Sequence, residues 1–475
     1  MNNKTIIKKS IHGGFIVFTS SALRYLFAFG TQVYLARILE PDYFGALAFA
    51  TMVAMFFNNF TNTNGDKYII KERENTYQKI DNVFTLEILL SVIFSILVIG
   101  IAPLLMKLLG KPELINFVQF LALLFFYNAF SKPRSLFERE LSFYRSKLPG
   151  VVAQLSGGIV GITLAYLEYG IWSLLLWRFT TLYVEVLIIW LITPYRPKLV
   201  WDSNIMIDII SFGWPLLGSS LLVFFYWNID YYLVGRFLGD VQLGYYWLAF
   251  QTSQYFLKVK ASIISVVFPT FSRMGNENDI KIGFEILTKL TAIMYMFPTI
   301  IVLILGEDLI QLIFGDNWAP ATTAFQIFMV LAAIRAITSY WDPVFWYYGK
   351  TKLLFSIAAL NSVFVAGFGY FVVRVYGIEG MALVVLFSII LITPIAASYL
   401  KKLINTSYFK IVFEPIFTAF IIVIFLKLSI TYLFMSGEFQ FTQKIILIFL
   451  FSFSYGAINY IKNKHIIRKL LSTYG

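Results

Sequence analysis

Arg24 stands in the middle of an apolar run that extends from Ile11 to about Ala36, and Lys258, Arg335 and Asp230 sit inside later runs of the same kind. A charge inside such a run is costly unless it faces a partner or a wet cavity, so chemistry is expected at these positions. Arg binds phosphate as a planar fork and Lys as a point charge. Arg24, Lys258 and Arg335 are therefore the candidate contacts for an anionic ligand. At ~1.5 Å per residue Arg24 lies about 20 Å along its run, close to a midplane. Lys260 is two residues from Lys258 and so faces another side of the helix. Arg335 can instead pair with Asp342. Asp230 is the carboxylate well inside its run; it either binds a coupling cation, Na+ or H+, or caps and pairs with Arg236. Arg178 and Glu185, seven apart on one face, read as structural charges that neutralise each other through neighbouring helices. Glu87 and Lys289 read as interfacial charges without a role.

Other chemistry is thin. There is no cysteine, and the two histidines, His12 and His465, lie at opposite ends of the chain, so no metal set and no thiolate or histidine relay is expected, nor any cofactor. Gly349-Lys350-Thr351 resembles the end of a phosphate-binding loop, but Val344 stands where its first glycine belongs. Glu307-Asp308 reads as a solvated turn. The net charge of +12 does not point to nucleic acid, because the basic residues are spread between apolar runs. The segment from Ser131 to Lys147 carries Lys132, Arg134, Arg139, Arg145 and Lys147 among aromatics. It reads as a basic anchor beside the membrane, with recruitment of anionic headgroups as the other reading. Trp341, Trp346, Tyr347 and Tyr348 read as interfacial belt residues, with stacking on sugars as the alternative.

The elements that must position these residues follow from composition. Hydrophobic residues make up 59% of the chain and charged ones only 13%, about half the charged share of a soluble domain. Crossing ~30 Å of hydrocarbon takes roughly 20 helical residues, and apolar stretches of that order recur from 11–36 to 444–461. The expectation is an all-α polytopic membrane protein of about fourteen transmembrane helices, with very short turns at Gly170 and Gly377. Lys and Arg crowd into the N-terminus, the C-terminus and every second loop, which places both ends in the cytoplasm of a plasma (inner) membrane protein. The first run is too long for a signal-peptide core and reads as a retained span. No loop is long enough for a soluble catalytic domain, so an enzyme is not expected.

Sliding the chain on itself by 199 residues aligns the first span with the seventh. Gly14 meets Gly213, Ser20-Ser21 meet Ser219-Ser220, Arg37 meets Arg236, Gly45 meets Gly244 and Ala50 meets Ala249. Parallel repeats of six spans are a transporter architecture, with the ligand site between halves. The expected organisation is an N-lobe over 1–200, a C-lobe over 201–402, and two extra helices with a tail over 403–475.

Several short motifs then carry a family resemblance. Phe212-Gly213, Asn228-Ile229-Asp230, Gly235-Arg236 and Leu243-Gly244-Tyr245-Tyr246 resemble the polysaccharide exporter family, the Wzx-type flippases. So do Phe268-Pro269-Thr270-Phe271-Ser272-Arg273, Phe314-Gly315-Asp316-Asn317-Trp318, Phe137-Glu138-Arg139-Glu140-Leu141-Ser142-Phe143 and Gly170-Ile171-Trp172-Ser173-Leu174. That family shares a superfamily with multidrug exporters and peptidoglycan-precursor flippases. The resemblance implies export of a polyprenyl-diphosphate-linked oligosaccharide for O-antigen, capsule or exopolysaccharide assembly, with a polysaccharide polymerase or synthesis complex as a further partner. Two other readings are a multidrug-type cation antiporter and a membrane scaffold of a polysaccharide-synthesis complex. The excess of deep Arg and Lys over Asp and Glu disfavours the antiporter, and deep charges in both lobes disfavour the scaffold.

Overall fold

The computed structural model describes residues 3–71, 76–140, 142–273, 277–434 and scattered positions between 451 and 462, and among these the regular structure is helical throughout. Ten helical stretches among the described residues are long and apolar enough to cross a membrane. The last expected span, 444–461, lies largely outside the described residues, as do the side chains of Lys260 and of the 268–273 motif. Helix is the outcome because a spanning backbone must satisfy its own polar groups where no water can.

The chain divides into two compact units. One comprises Met1–Leu248 with Ser362–Met381, the other Ala249–Asn361 with Ala382–Gly475. The first unit contains α1 (Asn3–Ile38), α2 (Pro41–Thr61), α3 (Gly65–Lys71) and α4 (Thr76–Leu108). A broken stretch follows as α5 (Ile115–Leu121), a 3-10 turn over Ala122–Phe125, α6 (Phe126–Phe130) and α7 (Arg134–Arg139). Next come α8 (Phe143–Tyr166), α9 (Ile171–Ile192), α10 (Ser203–Phe237) and the start of α11 (Gly239–Arg273). The turn expected at Gly170 is present, with the glycine at φ 52°.

Two features of this unit position charged side chains. The first is a stripe of glycines on α8. A Cβ at Gly157 would come within 2.7 Å of the Trp177 carbonyl oxygen, and one at Gly161 within 2.7 Å of the Trp177 side chain, both on α9. A Cβ at Gly158 would lie 2.6 Å from Thr31 Oγ1 on α1. Small residues let membrane helices approach backbone to backbone, so α8 draws α1 and α9 together. The second is the break between α5 and α6. The hydroxyls of Ser91 and Ser95 on α4 donate to the carbonyls of Phe125 (3.1 Å) and Ala122 (3.0 Å). Trp190 Nε1 on α9 donates to the Phe130 carbonyl at 2.7 Å. Neighbouring helices thus bind carbonyls of the tightened turn and of the end of α6, as a backbone away from water requires.

At the opposite end from the start of α1, the first turns of α2 and α11 meet through glycine. A Cβ at Gly45 would lie 1.9 Å from the Asp240 carbonyl oxygen, and one at Gly244 would lie 1.9 Å from the Pro41 carbonyl oxygen. Lys111 pairs with Asp240 at 2.6 Å beside this contact.

The second unit holds the remainder of α11, α12 (Glu277–Phe314), α13 (Thr322–Thr338), α14 (Trp341–Tyr347), α16 (Tyr408–Phe434) and parts of α15 (Thr351–Ile404). Helical backbone runs through Thr351–Ile404 except at Gly377, at φ 61° and ψ −150°, which is where a turn is expected between two spans. Glu307 and Asp308 are not in a turn: α12 continues through them to Phe314. Trp341 is buried, in a core with Phe284, Tyr340, Val344 and Leu400, so it is no belt residue. Lys289 is not a lone interfacial charge either; it pairs with Glu414 at 3.0 Å.

Candidate functional site

The charges of the first unit gather around two carboxylates that the glycine stripe and the broken stretch bring inward. Glu87 on α4 is fully buried, so it is not an interfacial charge. Lys132, in the turn between α6 and α7, lies 3.0 Å from Glu87 Oε2 and 2.7 Å from Asp66, and is itself 1% exposed. Thr63 donates to Glu87 Oε1 from its backbone N–H (3.1 Å) and its hydroxyl (2.7 Å). Burying a charge is tolerable only with a partner and hydrogen bonds, and this cluster has both.

Glu185 on α9 is the second carboxylate. Its side chain is 2% exposed, and it stands between Arg24 of α1 (Nη2 to Oε2, 3.4 Å) and Arg134 of α7 (Nη1 to Oε1, 3.2 Å). The Tyr127 hydroxyl donates to Oε2 at 3.4 Å. Gly150 of α8 sits against the group: a Cβ there would be 3.0 Å from Arg24 Nη1 and 3.2 Å from Glu185 Oε1. Glu185 is thus neutralised by arginines of α1 and α7, not by the mutual pairing with Arg178 that the sequence suggested. Arg24 and Arg134 differ from Lys132 in staying accessible, at 37% and 26% exposure. Arg134 also approaches Glu138 at 3.9 Å, while Glu138 is held by Lys147 at 2.8 Å and Ser146 at 3.0 Å. Counted around Glu185 alone, two guanidinium groups share one carboxylate. That leaves a local surplus of positive charge that can take an anion.

Arg134 escaped the sequence reading because it belongs to a basic segment that looks like a membrane-side anchor. Its proximity to Pro133, which with Lys132 interrupts the span, is the local signal that could have singled it out. Asp230 of α10 is buried in the first unit and accepts the Tyr246 hydroxyl of α11 at 2.8 Å. Lys258 and Arg335 belong to the second unit. Lys258 Nζ lies 4.5 Å from the Tyr255 ring centroid. Arg335 is buried on α13, with its guanidinium 5.9 Å from the Phe250 ring.

Comparisons with known proteins agree with this architecture. The family profile described as "Polysaccharide biosynthesis protein" matches residues 34–323. The succinoglycan biosynthesis transport protein ExoT of Rhizobium meliloti (strain 1021) is 24% identical over 342 residues, 71% of this chain and 69% of that protein. The teichuronic acid biosynthesis protein TuaB of Bacillus subtilis (strain 168) is 26% identical over 375 residues, 73% of this chain and 74% of that protein. Among solved structures, the lipid II flippase MurJ in its inward closed conformation superposes with a TM-score of 0.67 at 15% identity, covering 95% of this chain and 99% of MurJ. The likeness to MurJ shows a shared multi-helix membrane transporter fold.

Proposed function

The chain belongs to the polysaccharide biosynthesis protein family, and on that premise we propose that it moves a polyprenyl-diphosphate-linked oligosaccharide from the cytoplasmic to the outer leaflet of the plasma (inner) membrane. The observation that carries this reading is the pair of accessible guanidinium groups, Arg24 and Arg134, sharing the single buried carboxylate of Glu185. A diphosphate is the anion such a pair fits, because each planar fork can take two oxygens. Glu185 lies about 10 Å from the Ile192 end of α9 at ~1.5 Å per residue. The positive-inside bias assigns that end to the cytoplasm, with both termini. The headgroup then enters from the side on which it is made, while its polyprenyl tail stays in lipid.

Transport proceeds by alternating access of the halves 1–200 and 201–402. Lys258 and Arg335 are further proposed substrate contacts, and Asp230 is the proposed site for a coupling Na+ or H+. A potential negative inside favours outward movement of an anion by about 2.3 kcal/mol per charge per 100 mV. The test is transbilayer movement of a labelled polyprenyl-diphosphate oligosaccharide in proteoliposomes, with cationic-dye efflux run in parallel. Protein-dependent flipping that Arg24→Gln and Arg134→Gln each abolish is the expected result. Dye efflux without flipping overturns the reading in favour of a cation antiporter.

A further inference from the structure

The bonds around Glu185 are longer than the tightest lysine–carboxylate pairs among the described residues, though not longer than Arg134–Glu138 at 3.9 Å. Lys111–Asp240, Lys132–Asp66 and Lys147–Glu138 close to 2.6, 2.7 and 2.8 Å, the ordinary range for a charge-assisted hydrogen bond. Glu185 reaches Arg24, Arg134 and Tyr127 at 3.4, 3.2 and 3.4 Å. Its two oxygens divide the work: Oε1 faces Arg134, whereas Oε2 faces Arg24 and Tyr127. This is the arrangement in which two phosphate oxygens would bridge two guanidinium groups. Gly150 keeps the meeting point of Arg24 and Glu185 open, since the smallest side chain there would press on both.

We propose that Glu185 is a built-in stand-in for the substrate's diphosphate: it neutralises Arg24 and Arg134 in the empty transporter, yields them to the incoming headgroup, and reclaims them to expel it. The inference rests on the flippase reading above and adds the means of release. Without a resident anion, two adjacent guanidinium groups in a region of low dielectric would repel each other and hold a diphosphate too tightly to let it go. With one, binding is an exchange of anions, and only the difference between the two sets of contacts appears as affinity. Glu185 thereby trades affinity for turnover, because a transporter must release its cargo on the far side. The displaced carboxylate keeps the Tyr127 hydroxyl as a donor, so it stays close enough to compete.

The experiment measures binding of two probes, inorganic pyrophosphate and farnesyl diphosphate, to the purified full chain in detergent, and flipping by the same variants in proteoliposomes. Glu185→Gln is expected to tighten both probes by about tenfold or more, the scale of a single charge-pair coupling, and to slow multiple-turnover flipping. Glu185→Asp, which keeps the charge but draws it back from the arginines, should tighten them by less and serves if the glutamine variant does not fold. A merely structural role predicts the opposite sign, since disordering the arginines weakens binding. Unchanged or weaker binding by both Glu185 variants overturns the stand-in. If at the same time Arg24→Gln and Arg134→Gln do weaken binding, the flippase site survives and only the stand-in fails. If neither arginine variant matters, or no protein binds either probe, both readings fall together.

Discussion

Replacing Lys132 with Met would leave Glu87 buried without a cation, and the cost can be worked out from the structure. Lys132 Nζ is 3.0 Å from Glu87 Oε2, a separation worth about 5 kcal/mol at an effective dielectric of ~20. Removing one partner of a buried pair costs ~3–5 kcal/mol because the other charge is stranded. Here the lower end is expected, since Glu87 keeps both hydrogen bonds from Thr63. Asp66 adds little: its side chain is 42% exposed and returns to water. Lys132→Met should therefore lose ~3 kcal/mol, and Glu87→Gln in the same chain should restore most of it, because the stranded charge is then gone. The coupling between the two substitutions should be ~2–3 kcal/mol. The assay is unfolding in detergent micelles followed by intrinsic tryptophan fluorescence, for wild type, both single variants and the double variant. Additive losses, or a Lys132→Met loss below ~1 kcal/mol, would refute the view that this cluster is a mutually dependent buried network.

Three further outcomes are expected. Gly157→Ala places a Cβ 2.0 Å from Thr181 Oγ1 and 2.7 Å from the Trp177 carbonyl oxygen. It should cost ~1–3 kcal/mol by overpacking, whereas Gly218→Ala on α10, which meets nothing within 4 Å, should be neutral or gain up to ~1 kcal/mol of helix propensity in the same unfolding assay. Gly45→Ala and Gly244→Ala each drive a Cβ to 1.9 Å from a backbone carbonyl of the other helix, so the contact between α2 and α11 must open. In this cysteine-free chain, a single cysteine at Asp240 should then react faster with a membrane-impermeant maleimide than it does with both glycines intact. Tyr246→Phe removes the 2.8 Å hydrogen bond to buried Asp230 and should cost ~1–3 kcal/mol; unchanged unfolding would show that this bond contributes nothing.

What the sequence determined by itself is what depends on local pattern. Apolar runs of membrane length can only be helices, and Gly170 and Gly377 mark turns because each adopts a positive φ that few other residues tolerate. The position of Arg24 deep in its run, the scarcity of metal-ligating residues and the family motifs are local in the same sense. The tertiary structure decided which charges meet. Arg24 and Glu185 are 161 residues apart in the chain, and nothing in either run announces the other. They meet because glycines on α8 let α1 and α9 close on a common side. Lys132 and Glu87 looked like an anchor and an interfacial charge, since hydropathy assigns a residue to a loop or a helix without seeing which way a broken helix turns. The tightened turn before α6, its carbonyls bound by α4, and the end of α6, its Phe130 carbonyl bound by α9, lead into the turn that carries Lys132 and Arg134 inward. Helix formation is settled residue by residue along the chain, but the neutralisation of a buried charge is settled by rotation and approach between helices, which only the packed fold fixes.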